Sequence, residues 1–292
     1  LYLNREWSRL LKAGGHSRKK KEPRPMSAKT VRHIAGIISS AYSRAIRWGL
    51  ATVNPVKMSE PPIPQKYEGA ALTPAQQKLV FDSASGPWCM RTFLEVAAVL
   101  GCRRGELLAL RWSDIVDGRA VITRSLTQTK AGGLQFKTPK SRKNRNLGLL
   151  DETIQVLAEH RKRQDEYRLK FGPDYQAGDL IFAAENGAPL RPDSVSAAVS
   201  LLFRRLKLPA GTSLHSLRHT HASEMLDSGT PATAVSARLG HGSVRTTLEI
   251  YAHMIHGQDD AAVRRLQEYR KQNAPAEPAE PAAPAAPAEK ES

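Results

Sequence analysis

The chain has 292 residues, enough for one large domain or two smaller ones with a substantial core. Its formal charge of +16 and pI near 10.1 favour nucleic acid as a partner. Two cysteines are too few for a disulfide scaffold or a four-cysteine zinc site, and no apolar run reaches the roughly 20 residues that span a bilayer. We therefore expect a protein of the reducing cytoplasm, associated with the nucleoid and not with a membrane.

The N-terminal part is predicted to be helical and strongly basic. Residues 1–66 contain 14 lysines and arginines against three glutamates, a net charge of +11. Apolar residues at helical spacing predict a helix within 27–50, with Ser27 as its N-cap and Gly49 at its end, after a basic loop at 16–25. A plain helical hairpin is one interpretation, but the concentrated charge favours a DNA-binding module. Its candidate DNA contacts are Lys19, Lys20, Lys21 and Arg24.

A proline-rich linker at residues 57–71 is predicted to separate this part from a larger domain at 72–272. In the larger domain, helical patterns flank three short β-prone pieces between residues 119 and 150, which predict a small antiparallel sheet and an α+β, mainly helical fold. Helices are predicted at residues 72–81, 88–101, 103–115, 151–171, 193–206, 213–226, 231–240, 243–251 and 257–272. The Ala/Pro/Glu tail at 273–292 is predicted to be disordered, and the start without Met leads us to expect further residues upstream.

The stretch SLHSLRHTHASEML, residues 213–226, concentrates three histidines and an arginine. His215 and His219 have the i, i+4 spacing of zinc ligands, but the fixed charge of Arg218 opposes metal binding and no third ligand is close. We interpret His219 and His221 as core histidines. His215 and Arg218 have i, i+3 spacing, so both can reach one phosphate, the arginine with two hydrogen bonds and the histidine with one.

Four stretches occur in a fixed order along the chain: GCRRGELLAL (101–110), HSLRHT (215–220), LGH (239–241) and TLEIYAH (247–253). They resemble the boxes G-x-R-x-x-E-L-x-x-L, H-x-L-R-H-T, L-G-H and T-x-x-x-Y-A-H of the tyrosine recombinases, the phage integrase class of site-specific DNA recombinases. The resemblance covers about residues 72–256. Residues 27–56 also resemble the end of the family's core-binding domain, so residues 1–56 would form a helical, N-terminally truncated domain of that type.

The resemblance implies strand cleavage through a covalent 3′-phosphotyrosine, with Tyr251 as the nucleophile. Arg103 and Arg218 would hold the non-bridging oxygens of the scissile phosphate, because a guanidinium is planar and always protonated. His241 would add a hydrogen bond to the same group. His215 would bind the phosphate and help to take the phenol proton.

A lysine on a turn between two strands would protonate the leaving 5′-oxygen. Lys140, in the stretch TPKS, matches the family's P-K-[ST] pattern best, and Lys137 is the second candidate because the loop differs slightly in length from the usual one. Lys137, Arg142 and Lys143 are also candidate contacts to backbone phosphates. Glu106, in the Arg103 box, is interpreted as structural.

No cofactor is expected, since the sequence has neither a Gly-rich phosphate loop nor an acidic metal cluster. The resemblance implies double-stranded DNA as the partner, a homo-tetramer on DNA and a monomer free in solution. Two alternatives remain open at this point: a type IB topoisomerase, which shares this chemistry, and a homologue that binds DNA without cutting it.

Overall fold

The computed structural model describes residues 2–13, 15–17, 20–64, 71–129, 131–139, 144–255 and 259–273, without the side chains of residues 15–17, 20–23, 250–255 and 259–262. The chain divides into two compact units, Leu1–Glu68 and Gly69–Ser292, called here the N-terminal unit and the C-terminal unit. The described helices include none that is long and apolar enough to cross a membrane. The finer division into a domain at 1–56, a linker, a domain at 72–272 and a tail stays a prediction.

The N-terminal unit consists of two helices, one strand pair and a short 3-10 helix at Pro55–Met58. Its elements are α1 (Tyr2–Lys12), β1 (Gly15–Ser17), β2 (Lys20–Arg24) and α2 (Ala28–Arg47). The side chain of Ser27 accepts a hydrogen bond from the N–H of Thr30, which confirms the predicted N-cap. The unit has a small core, formed by Trp7, Val31, Ala35 and Val56.

The antiparallel pair of β1 and β2 shows that the prediction of a basic loop at 16–25 was wrong. Gly15 pairs with Arg24 and Ser17 with Lys20, and the N–H of Met26 then donates to the carbonyl of Leu10 on α1 at 3.0 Å. Apolar periodicity carries no signal for such a pair, because backbone hydrogen bonds between the two segments and to α1 hold it together.

The C-terminal unit contains nine of the described helices and five of the described strands. The helices are α3 (Pro74–Asp82), α4 (Met90–Leu100), α5 (Arg104–Leu107), α6 (Asp151–Phe171), α7 (Pro192–Arg205), α8 (Leu214–Asp227), α9 (Ala232–Leu239), α10 (Val244–Ile255) and α11 (Asp259–Gln272). The strands are β3 (Ile115–Val116), β4 (Arg119–Ile122), β5 (Ser125–Thr129), β6 (Gly133–Lys137) and β7 (Arg145–Gly148).

The strands form two antiparallel sheets, so the α+β class is confirmed and the single predicted sheet is corrected. β4 lies between β3 and β7, with Ile122 opposite Arg145. β5 and β6 form a separate hairpin inserted between β4 and β7, with Leu126 opposite Phe136. The hairpin therefore carries the chain from the sheet to the loop that precedes β7.

Helix α4 forms the centre of the main core. Apolar residues surround it on most sides, which is the pattern of a helix buried within a domain, and Phe93 packs edge-on against Phe182 at 5.2 Å. The helix predicted at 103–115 is much shorter, because α5 ends at Leu107. The following segment instead makes backbone hydrogen bonds to distant residues: Trp112 donates to Asp179, and Leu110 accepts from Ile181.

Candidate active site

Arg103 lies at the start of α5, directly after the turn that ends α4. Its backbone N–H donates to Oε2 of Glu106 at 2.9 Å, and its Nη1 donates to Oε1 of the same carboxylate at 3.0 Å. Its Nη2 donates to the carbonyl of Gly240 at 3.0 Å, and about a third of the side chain (32%) remains exposed. The guanidinium is thus fixed at two points and still reaches solvent.

Arg218 lies on α8 and is buried. Its Nη1 donates to the carbonyl of Gly101 at 2.7 Å, and its Nη2 donates to the carbonyl of Leu239 at 2.8 Å. Burial, followed by the neighbouring charge of Arg103, lowers the pKa of Arg218 to about 10. The side chain therefore keeps its charge at neutral pH, and the two predicted arginines lie close enough to repel each other.

Two glycines present the carbonyls that hold these arginines. Gly101 and Gly240 end α4 and α9 in the left-handed conformation, with φ of +57° and +67°. A Cβ on Gly101 would lie 2.6 Å from the ring of His221, and one on Gly240 would lie 2.9 Å from Nη1 of Arg145. Both positions therefore require glycine for backbone conformation and for space.

The predicted histidines His215 and His241 lie beside the arginines. Desolvation, followed by the charges of His219 and the two arginines, lowers the pKa of His215 to about 4 although the residue is exposed. Burial and the same two arginines lower the pKa of His241 to about 4. Both imidazoles are therefore neutral at pH 7, so each can accept a proton or donate one ring N–H.

The other two histidines of α8 differ from each other. His221 is buried, and its Nε2 accepts a hydrogen bond from Nε of Arg238 at 3.0 Å, as expected of a core histidine. His219 is half-buried, and its ring meets that of His215 edge-on at 4.8 Å. The interpretation of His219 as a core residue therefore needs correction, because it lies next to the predicted site. Among the described residues no group of three or more potential ligands could hold a metal ion.

Glu106 and Arg145 form a buried ion pair next to the two predicted arginines. Oε2 of Glu106 accepts from Nη2 of Arg145 at 2.5 Å, and Nη1 of Arg145 donates to the carbonyl of Arg238 at 2.9 Å. Both residues of the pair are more than nine-tenths buried. Sequence reasoning gave Arg145 no role, because nothing in the sequence distinguishes this buried arginine from the nearby basic residues Lys140, Arg142 and Lys143.

Helix α10 carries the predicted nucleophile. Tyr251 belongs to this helix, but its side chain lies outside the described residues. Thr247, one turn earlier, is fully buried, and its Oγ1 lies 2.7 Å from Nδ1 of His241. Thr247 stands in the TLEIYAH stretch, so the sequence marked the position without indicating its contact.

The candidate lysines and arginines are less fully described. Lys137 ends β6 and is exposed, and Arg24 ends β2 and is exposed. The remaining candidates, or their side chains, lie outside the described residues: Lys19, Lys20, Lys21, Lys140, Arg142 and Lys143. The choice between Lys140 and Lys137 as the acid therefore stays a prediction.

Residues 72–256 match the sequence profile of the phage integrase family. The chain belongs to the phage integrase family. The matched segment of this integrase-family chain includes every predicted catalytic residue. Two curated relatives are the tyrosine recombinase XerC-like protein of Caldanaerobacter subterraneus subsp. tengcongensis, 27% identical, and the ICEBs1 integrase of Bacillus subtilis, 25% identical. The matches cover 83% and 78% of this chain and 66% and 62% of the relatives, so the chain spans less than two thirds of their length.

Solved structures of low sequence identity share the fold of this integrase-family chain. The transposon Tn1549 integrase in complex with transposon right end DNA has a TM-score of 0.72 at 19% identity, over 91% of this chain and 84% of that one. A lambda integrase tetramer bound to a Holliday junction has a TM-score of 0.54 at 19% identity, over 83% of this chain and 77% of that one. These likenesses show a common architecture.

Proposed function

We propose that this chain cleaves and rejoins DNA at a specific site through a 3′-phosphotyrosine intermediate, without metal or ATP. The observation that carries the proposal is the pair of guanidiniums of Arg103 and Arg218, fixed on backbone carbonyls next to His241. Two positioned cations and an imidazole N–H are suited to the non-bridging oxygens of a phosphodiester, where charge develops in the transition state.

In the proposed reaction, the phenol oxygen of Tyr251 attacks phosphorus and the bond from phosphorus to the 5′-oxygen breaks. Neutral His215, which carries no extra proton at pH 7, accepts the phenol proton as the P–O bond to tyrosine forms. Lys140, or Lys137 as the second candidate, gives a proton to the leaving 5′-oxygen. The phosphotyrosine keeps the energy of the broken bond, so the reverse attack rejoins the strand.

Double-stranded DNA is the proposed substrate, which implies association with the nucleoid. The Tn1549 integrase and lambda integrase structures are complexes with DNA, and this chain shares their fold. The net charge of +11 in residues 1–66 supports a second DNA contact by the N-terminal unit. Relatives named recombinase and integrase favour site-specific recombination over a type IB topoisomerase.

We further infer a homo-tetramer on DNA, with a monomer in free solution. The C-terminal unit has an open, mainly apolar groove of about 1040 Å³, whose lining includes Phe81, Leu149, Val156 and Met225 together with Glu95, Glu152 and Glu224. Helix α11 exposes Val263, Leu266 and Tyr269 and carries basic residues in its last turn. This apolar face and its charge suit the groove of a neighbouring copy, in keeping with the tetrameric lambda integrase.

The test begins with covalent DNA adducts, trapped with detergent in cells that express the full chain and then sequenced to identify the site. Purified protein should then form an adduct on that duplex, and Tyr251→Phe should form none while it still binds DNA, because the attacking oxygen is removed. Tyr167→Phe is the matched control. Tyr167 lies on α6, outside the site, and its ring centroid is 5.1 Å from that of Trp88. An adduct with Tyr251→Phe would refute the nucleophile.

A duplex with a 5′-bridging sulfur at the cleavage point tests the proposed acid, because a thiolate leaves without protonation. The Lys140→Ala variant should cleave normal DNA slowly. It should cleave the sulfur-containing duplex at nearly the wild-type rate. The same rescue in Lys137→Ala, with none in Lys140→Ala, would assign the acid to Lys137.

A further inference from the structure

The hydroxyl of Thr247 has one hydrogen-bond partner among the described residues, Nδ1 of His241 at 2.7 Å. The residue is fully buried, with 0% of its surface exposed, so no solvent can accept the hydroxyl proton. Buried polar groups in proteins are almost always paired. The proton of the Thr247 hydroxyl is therefore directed at Nδ1 of the imidazole.

This hydrogen bond selects one tautomer of His241. The pKa of His241 is lowered to about 4, first by burial and then by Arg218 and Arg103, so the free protein carries a neutral imidazole with a single ring proton. Because Nδ1 accepts from Thr247, that proton lies on Nε2. An Nε2–H group can donate to an anionic oxygen, whereas the opposite tautomer would present a lone pair and repel it.

We propose that Thr247 is a positioning residue that holds His241 in the Nε2–H tautomer and joins it to the helix that bears Tyr251. The proposal rests on the proposed function, since a phosphate oxygen is the acceptor for Nε2–H. Thr247 belongs to α10, one turn before the nucleophile, and His241 lies in the turn before that helix. The position of α10 and the orientation of the His241 Nε2–H group are therefore coupled, because both depend on the same buried hydrogen bond.

Thr247→Val tests the proposal, because valine keeps the shape of the side chain and removes the hydroxyl. Adduct formation should fall about tenfold or more, the range found when hydrogen bonds that orient metal-bound histidines are removed. Thr247→Ser should restore most of the rate, since it restores the hydroxyl. Thr246→Val is the matched control: it makes the same change one residue away on an exposed position of α10 and should keep the wild-type rate.

Two further measurements separate orientation of His241 from a general packing role. In a His241→Ala background, Thr247→Val should cause no additional loss of rate, because its effect passes through the imidazole. Nitrogen chemical shifts of His241 in the free protein should report a proton on Nε2 in the wild type and a changed ring environment in Thr247→Val. Additive losses in the double variant, or a proton on Nδ1 in the wild type, would overturn the proposal.

Failure of the proposed function gives a different result. If the wild-type protein forms no adduct on any DNA, the recombinase proposal fails, while the nitrogen shifts still decide whether Thr247 sets the tautomer. If the wild type forms adducts and Thr247→Val forms them equally fast, the recombinase proposal stands and the role of Thr247 is refuted.

Discussion

The two units hold their positive charge in opposite ways. In the C-terminal unit, Arg103, Arg145 and Arg218 are tied to a buried carboxylate or to backbone carbonyls. Each guanidinium has a defined position before any substrate arrives. Such an arrangement suits one phosphate at one place, because no reorganisation is needed when charge develops on it.

In the N-terminal unit, by contrast, the described basic residues of α2 lie on its surface. Lys29, Arg32 and Arg47 of α2 are exposed, and four buried residues form the core of the described part of the unit. Exposed, solvated charges suit the repeating phosphates of a DNA backbone, where the contacts need reach and number more than exact geometry. Buried, hydrogen-bonded charge thus accompanies the proposed chemistry, and exposed charge accompanies the proposed DNA binding.

The largest effect on stability is expected when Arg103 and Arg145 lose the carboxylate of Glu106. Glu106→Gln should lower the free energy of unfolding by about 3 kcal/mol, since a buried arginine left without its counter-charge costs that much. Denaturant titrations of the full chain measure the change. Trp7→Phe and Trp48→Phe in each protein compared confine the fluorescence signal to Trp88 and Trp112 of the C-terminal unit. Glu159→Gln is the matched control, because the exposed pair of Glu159 and Lys162 contributes less than about 1 kcal/mol. Equal losses in both variants would contradict the contrast between buried and exposed charge.

The sequence could predict the candidate active site only in part. The order of the boxes gave Arg103, Arg218 and His241 as neighbours, and the glycines at 101 and 240 were visible as helix ends. Arg145 could not be found in this way, because its partner Glu106 lies 39 residues earlier and the contact depends on how β7 meets α5. Apolar periodicity likewise located most helices but not the end of α5, where tertiary backbone hydrogen bonds replace helical ones.

An intermediate effect is expected from pH, through His221. Burial and the charges of Arg238 and Arg218 lower its folded pKa to about 4, against about 6.5 when unfolded. Above pH 6.5 both states are neutral and stability is unaffected. As pH falls from 6.5 to 4, the unfolded state binds the proton first, so stability drops by up to about 1.4 kcal/mol per pH unit for this residue.

His221→Gln should make the C-terminal unit less sensitive to acid, since glutamine can accept the hydrogen bond of Arg238 and does not titrate. Unfolding free energies at pH 7, 6 and 5 measure the slope. His33→Gln, at an exposed position of α2, is the matched control. It should show the same slope of unfolding free energy against pH as the wild type. An unchanged slope in His221→Gln would show that the ring is not kept neutral by its surroundings.

The smallest effect on folding is expected from the exposed charges of α2, although their effect on DNA binding is measurable. Lys29→Gln with Arg47→Gln should change the unfolding free energy by less than about 0.5 kcal/mol, because both side chains are exposed. Each lost phosphate contact should reduce the slope of log affinity against log salt by about 0.9. The control removes two exposed charges from α6, by Lys162→Gln with Lys170→Gln, and should keep the wild-type slope. If both double variants reduce the slope equally, DNA binding follows total charge alone, and the assignment of the second contact to the N-terminal unit is wrong.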